Sequence, residues 1–203
     1  MGAYQTVFDK SASISINKRK KVAQTVSRDG TVKTTSLGGQ TWQFEVRMPD
    51  GPTFTEMRPL IEQMEALDRV TTSTVQINQT GHSYITGYQG GLSNITGVTV
   101  SFTTGTTLVI TGGATLGSGY RFKAGDFIQL GTTGSVYTVA SDVAYNNNSI
   151  TVHRPVREAA GTYTLKVGPN VVWNVVCTQF PKWTIFSRNQ VSWDGPFIFA
   201  EAI

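Results

Sequence analysis

The stretch TWQFEVRMP, residues 41–49, decides the fold class because apolar and polar side chains alternate along it. Successive side chains of an extended chain point to opposite faces, so this period of two predicts a β-strand with one buried face. The buried set would be Trp42, Phe44, Val46 and Met48. The polar set would be Gln43, Glu45 and Arg47. We therefore expect a sheet whose buried face carries the apolar set, so that Trp42 lies in the core.

The composition favours sheet and turns over helix. Of 203 residues, 39% are hydrophobic and only 15% are charged, while Gly, Ser and Thr are abundant. A net charge of +4 permits contact with nucleic acid or acidic surfaces but does not require it. The single cysteine, Cys177, excludes an intrachain disulfide, and its apolar neighbours predict a small buried side chain.

No segment has the character of a secretion signal or of a membrane span. The N-terminus MGAYQTVFDK lacks an apolar signal core. No run approaches the roughly 20 apolar residues that cross a bilayer. We expect a soluble protein that is made in the cytoplasm and has no membrane partner.

A polar leader is followed by a hairpin signal in KKVAQTVSRDGTVKTTS, residues 20–36. The pair Asp29-Gly30 separates two short alternating runs, and glycine accepts the positive φ that tight turns need. The basic residues at positions 18–21 would form a solvated loop between strands.

An amphipathic helix is predicted at about residues 53–69. Its apolar residues recur at spacings of three and four, namely Phe54, Met57, Ile61 and Met64. Thr53 and Glu56 have the spacing of a capping box. Pro59 lacks a backbone donor, so we expect a separate opening turn and a main helix that runs from Pro59 to about Arg69.

The pattern changes at the glycine-rich segment GYQGGLSNITG, residues 87–97. Short strand-like runs between turns follow it, which is typical of a small barrel. Longer apolar strands return after residue 169. The sequence thus predicts a mainly β protein in which residues 1–88 and 169–203 form a discontinuous domain with one helix. Residues 89–168 would form an inserted β-barrel domain.

The sequence contains no recognised pattern for catalysis or metal binding. Its two histidines, His82 and His153, follow no nucleophile-elbow motif, and with Cys177 they have no zinc-site spacing. The glycine-rich segment at residues 111–121 matches no phosphate-binding fingerprint and precedes no helix. We expect no enzyme activity, no cofactor and no metal site.

The segment YRFKAGDFIQLG, residues 120–131, could line a pocket, grip an anion or form a barrel corner. Its first four residues are of the types on which small barrels stack single-stranded nucleic acid, but few other basic residues lie nearby. We favour a corner at which Gly125 permits the bend. The buried residues would be Phe122, Ile128 and Leu130. Lys123 and Asp126 would stay solvated.

The order of these elements resembles the distal tail proteins of long-tailed bacteriophages. The most specific motifs are KAGD at 123–126, GSVYTV at 134–139 and the turn at Pro155, and the resemblance covers the chain from about Gln40 onwards. It implies a tail-tube-like β-sandwich or barrel with one α-helix and an inserted barrel of the oligonucleotide-binding-like (OB-like) type. The first forty residues carry no matching motif.

The resemblance also implies a function and partners. The protein would be a structural component of the virion, made in the host cytoplasm, that forms a homohexameric ring between the tail tube and the baseplate or tail tip. Its partners would be further copies of itself, the tail tube protein and the baseplate hub or tail-tip proteins. DNA would meet it only in passing through the lumen.

A closed ring requires each subunit to use two different surfaces. The hairpin at residues 20–36 is our candidate for one of them, because polar side chains are interleaved there with small apolar ones. The candidate interface residues are Lys20, Gln24, Lys33 and Thr35.

Two alternatives stay open at this point. The chain could be another tail-tube, hub or baseplate-ring component. It could also be a carbohydrate- or receptor-binding tail module that uses tryptophan rings as sugar platforms. The candidate platforms are Trp42, Trp173, Trp183 and Trp193, although the first alternates with Phe44 and is expected in the core.

Overall fold

A computed structural model describes residues 2–18, 22–36, 40–67, 70–113 and 119–202. The described chain is mainly β-structure in antiparallel sheets, which confirms the predicted fold class. It contains two α-helices instead of the predicted one. In chain order the α-helices and strands are α1 (Ala3–Asp9), β1 (Ser13–Asn17), β2 (Val22–Val26), β3 (Val32–Ser36), β4 (Gln43–Arg47), α2 (Phe54–Ala66), β5 (Ser73–Val75), β6 (Thr99–Phe102), β7 (Thr107–Gly112), β8 (Tyr120–Phe122), β9 (Phe127–Leu130), β10 (Val136–Thr138), β11 (Val143–Ala144), β12 (Ser149–Thr151), β13 (Gly161–Val167), β14 (Trp173–Gln179), β15 (Lys182–Phe186), β16 (Gln190–Asp194) and β17 (Phe197–Glu201).

The chain divides into two compact units. Unit 1 contains the residues up to 73 together with 175–202, and unit 2 contains residues 74–174. The predicted domains, with boundaries near residues 88 and 169, stay a prediction.

Unit 1 is built on a sheet with the strand order β1-β4-β17-β14-β5. The chain leaves the unit within β5 and returns to it within β14. The alternation predicted for the stretch at 41–49 is confirmed, because Trp42, Phe44, Val46 and Met48 are buried while the polar residues between them are exposed. Cys177 is also buried, as predicted.

Helix α1 corrects the prediction of a polar leader. It buries Ala3, Tyr4, Val7 and Phe8, which recur at the spacing of one helical face. The Phe8 ring lies 5.7 Å from that of Phe44 and 5.2 Å from that of Phe199. The Tyr4 hydroxyl donates to the carbonyl of Thr71 at 2.9 Å. A seven-residue helix has little stability of its own, so this packing holds it in place.

Helix α2 is continuous, and the predicted break at Pro59 is wrong. The capping box is confirmed: Thr53 Oγ1 accepts from the Glu56 amide at 3.3 Å, and Glu56 Oε2 accepts from the Thr53 amide at 3.2 Å. Proline forfeits one backbone bond within the helix. Four buried residues keep the helix packed despite that loss, namely Met57, Leu60, Ile61 and Met64.

Unit 2 contains a six-stranded antiparallel sheet with the order β10-β9-β13-β6-β7-β12. Its two outer strands are joined by the bridge between Val139 and Val152. The Ala140 amide donates to the Thr151 carbonyl at 2.7 Å, and the His153 amide donates to the Thr138 carbonyl at 3.0 Å. The sheet thereby closes around a core of aliphatic and aromatic side chains. Whether this barrel is of the OB-like type stays a prediction.

The segment at 120–131 forms a structural corner, with one correction. Phe122, Ile128 and Leu130 are buried as predicted, and Gly125 has a φ of +99°. Asp126, however, is only 1% exposed instead of solvated. Its carboxylate accepts from the amides of Gln89 and Lys123, each at 2.8 Å. These donors replace water, while burial raises the pKa of the carboxyl.

Candidate assembly surface

The predicted hairpin is confirmed, and in the chain it lies between the two strands of a second antiparallel pair. Strand β1 pairs with β4 from Ser13 opposite Arg47 to Asn17 opposite Gln43. Strand β2 pairs with β3 from Val22 opposite Ser36 to Val26 opposite Val32. We call residues 22–36 the arm. Its strands form a two-stranded sheet of their own, whereas β1 and β4 belong to the central sheet of unit 1.

The arm ends in a tightly bonded turn. The Gly30 amide donates to the Ser27 carbonyl at 2.9 Å, and the Ser27 amide donates to the Thr31 carbonyl at 2.9 Å. Gly30 has a φ of +83°, which completes a three-residue hairpin loop that an L side chain would strain. Asp29 Oδ1 accepts from the Ser27 hydroxyl and from the Thr31 amide. These bonds, the first above all, lower the pKa of the Asp29 carboxyl.

Both faces of the arm are open to solvent among the described residues. Every residue from Ala23 to Thr35 is exposed, apart from the half-buried Ser27. Val26 is 70% exposed and Val32 is 57% exposed, although they lie directly opposite each other beside the turn. A strand pair normally buries one face, and an isolated hairpin is marginally stable in water. The arm therefore leaves apolar surface and strand edges exposed among the described residues.

The predicted interface residues fall on different faces of the arm. Side chains alternate along a strand, so Gln24 shares one face with the paired valines. Lys33 and Thr35 lie on the opposite face. Lys20 lies outside the described residues. Their role in an interface stays a prediction. The valines beside the turn were not among the named candidates, although their symmetric positions around Asp29-Gly30 could have indicated them.

The described arm has a small positive charge. Arg28 and Lys33 are basic and Asp29 is the one acid among residues 23–35. A surface of this kind recognises a partner through apolar contact, backbone hydrogen bonds and weak attraction to acidic groups.

His153 makes a contact within the fold of unit 2. Nδ1 of His153 accepts from the Thr138 amide at 2.9 Å, which is a structural contact where the barrel of unit 2 closes. Within the described ranges, no three residues of the types His, Cys, Asp and Glu are grouped so that they could hold a metal ion. Of the helices in the same ranges, none has both the length and the apolar character that a membrane span requires.

The tryptophan rings are not exposed platforms. Trp42, Trp173 and Trp193 are buried. Trp183 is half-buried and stacks on Phe54 with ring centroids 5.8 Å apart. Three of the four rings therefore belong to the core, and the carbohydrate- or receptor-binding alternative stays a prediction.

Neither a known protein family nor a curated protein matches the chain.

Proposed function

We propose that this protein is a structural component of a bacteriophage tail. Copies of the chain form a ring that connects the tail tube to the baseplate or tail tip. The observation that carries the proposal is the arm, a hairpin exposed on both faces that projects two valines at its tip. Such a hairpin gains stability when a second chain covers it.

Head-to-tail contacts build the ring. The arm of one copy lies against a different surface of the next copy, and the contact repeats until the rotation closes. Six copies are expected from the resemblance to distal tail proteins. The tail tube protein and the baseplate hub or tail-tip proteins bind the two sides of the ring, and DNA passes through its lumen. The protein acts by holding these parts together and has no catalytic role.

Shortening the arm tests the proposal. In the variant, a four-residue turn replaces residues 22–36, so that β1 and β4 keep their pairing. We expect the wild-type protein to form closed rings, alone or with the tail tube protein, in electron micrographs and by mass photometry. The shortened variant stays monomeric and keeps its circular dichroism spectrum, because nothing in the described core depends on the arm.

Two point variants provide a matched pair for that experiment. Val26→Ser with Val32→Ser removes the apolar tip and keeps the hairpin, and it should weaken ring assembly. Val109→Ser makes the same chemical change at an exposed valine of β7 and should leave assembly unchanged. Normal rings from the shortened variant, or a wild-type protein that stays monomeric even with its tail tube protein, would contradict the proposed function.

A further inference from the structure

Unit 2 contains a cavity on the face of β13 that is turned away from its core. The cavity has a volume of about 460 Å³, which lies within the usual range for small-molecule sites. Thr164 and Lys166 of β13 form one wall of it. Side chains alternate along a strand, and Leu165 between them belongs to the buried core. Thr164 and Lys166 therefore share the face on which the cavity lies.

A buried amide holds a second wall against the same face. Gln129 of β9 lies directly opposite Lys166 in the register with β13, so the two side chains are neighbours on one face. Gln129 is only 1% exposed. Its Nε2 donates to the Val172 carbonyl at 2.7 Å, and its Oε1 accepts from the Val172 amide at 3.0 Å. These two bonds fix Val172, which lines the cavity, beside the strand that carries Lys166.

Further hydrogen bonds hold the remaining walls. The Leu165 amide donates to the Val98 carbonyl at 2.7 Å, which fixes the lining segment 95–97 beside β13. Nε2 of Gln76 donates to the Pro169 carbonyl at 2.5 Å, which holds Gln76 against the turn that carries Asn170. The cavity is thus built by contacts within unit 2, and a ligand does not have to order it.

The lining carries one charge, and that charge is positive. Lys166 is the single ionisable side chain among the described residues that line the cavity. Its ammonium group donates to the Thr132 carbonyl at 3.3 Å, which uses one of its three N–H groups. Thr164 and Asn170 are exposed, and they add a hydroxyl group and an amide group that can donate. Ile95 supplies apolar surface beside them.

We propose that this cavity binds a small organic carboxylate. The ammonium group of Lys166 attracts the negative charge, and a charge-assisted hydrogen bond is stronger than a bond between neutral groups. Thr164 and Asn170 donate to the carboxylate oxygens, while the apolar part of the ligand packs on Ile95 and Val172.

The single positive charge favours a carboxylate over a phosphate. A phosphate group carries up to about two negative charges at neutral pH, and it would meet one cation in this lining. A carboxylate brings one charge, which Lys166 matches. The site lies within unit 2, and the inference does not depend on the proposed ring.

Calorimetric titration of the full chain with matched acids and neutral analogues tests the inference. The pairs are benzoate with benzamide, glutarate with glutaramide and glucuronate with glucose, so that the carboxylate is the main difference within each pair. At least one carboxylate should bind, and it should bind about tenfold more tightly than its neutral partner.

Variants of the lysine test whether binding occurs in this cavity. Lys166→Gln removes the charge and should weaken binding of that carboxylate about tenfold. Lys166→Arg keeps the charge and should retain most of the affinity. Lys123→Gln is the matched control, because Lys123 is an exposed lysine of unit 2 outside the lining, and it should bind like the wild type. Circular dichroism confirms that each variant is folded.

Four results would overturn the inference. It is wrong if no carboxylate binds, if the neutral partners bind as tightly as the acids, or if Lys166→Gln binds like the wild type. It is also wrong if inorganic phosphate binds more tightly than every carboxylate. None of these results bears on ring formation.

Discussion

The arm and the hairpin of β15 and β16 are both two-stranded sheets in unit 1, but they differ in what holds them. In the second hairpin, Gln190 forms a bridge with Thr53, and the Phe54 amide donates to the Asn189 carbonyl at 2.9 Å. Val191 and Trp193 of β16 are buried. In the arm, nothing between Ala23 and Thr35 is buried.

The difference separates a hairpin that packs on its own chain from a hairpin that buries no residue between Ala23 and Thr35. Strand pairing by itself supplies little stability, since buried side chains and cross-strand contacts supply most of it. The β15–β16 hairpin obtains these from helix α2 and from aromatic neighbours. The arm lacks them within the described chain.

The largest expected change in the free energy of unfolding comes from replacing Trp193 in the β15–β16 hairpin. Its ring lies 5.2 Å from that of Phe197 and 6.2 Å from that of Phe180. Trp193→Ala should lower the free energy of unfolding by about 3–5 kcal/mol, because a large buried ring leaves a cavity. Val26→Ala with Val32→Ala should change it by about 0.5 kcal/mol or less per site.

Urea unfolding measures both variants at concentrations at which the chain is monomeric. The comparison breaks if the arm variant also loses more than about 1.5 kcal/mol, because the valines would then support the fold of their own chain. It also breaks if Trp193→Ala is as stable as the wild type.

A smaller effect is expected where helix α2 begins, close to the β15–β16 hairpin. Thr53 caps the helix and also forms the bridge with Gln190. Thr53→Ala removes the side-chain acceptor and should cost about 1 kcal/mol. Thr25→Ala on the arm removes an exposed hydroxyl and should cost a few tenths of a kcal/mol at most.

Thermal unfolding of the two threonine variants provides the measurement. A lower midpoint for Thr53→Ala and an unchanged midpoint for Thr25→Ala are expected. Equal shifts would mean that the arm is as firmly anchored as the second hairpin, and the proposed difference between them would be lost.

The sequence was sufficient wherever the structure depends on local pattern. The strand at 41–49, the hairpin at 22–36 and the capping box of α2 all follow from residue spacing and turn chemistry. The predicted break at Pro59 was wrong because it rested on the missing backbone donor alone. The packing of the apolar face keeps helix α2 continuous. Helix α1 was missed although its buried residues have helical spacing, because seven residues give a weak signal.

Contacts between distant residues account for what sequence pattern could not show. Asp126 is buried because the Gln89 amide, 37 residues away in the chain, donates to it. The sequence predicted the hairpin of the candidate assembly surface. It did not show that Val26 and Val32 are exposed, because that depends on whether any other part of the chain packs on the arm.

The smallest expected effect on stability comes from lowering the pH. It involves one carboxyl in the arm and one at the start of α2, next to the β15–β16 hairpin. Hydrogen bonds from Ser27 and Thr31 lower the pKa of Asp29 in the arm. Bonds from the side chain and the amide of Thr53 lower the pKa of Glu56 at the start of α2. A carboxyl with a lowered pKa holds its proton less tightly in the folded chain, so the unfolded chain is protonated first. The stabilisation is therefore complete above the unfolded pKa and is lost as pH falls through the folded one.

Amide chemical shifts between pH 6 and pH 2 give the measurement. The amides of Thr31 and Thr53 donate to these two carboxylates, so they should titrate with midpoints below the ordinary values of 3.8 for Asp and 4.5 for Glu. Protonation of Asp29 should perturb only the turn of the arm, whereas protonation of Glu56 should also perturb Asn189 and Gln190. Asp29→Asn and Glu56→Gln should each abolish one titration. If acid shifted Asn189 no more than it shifts the far end of the arm, the second hairpin would not depend on α2, and both hairpins would be held by their turns alone.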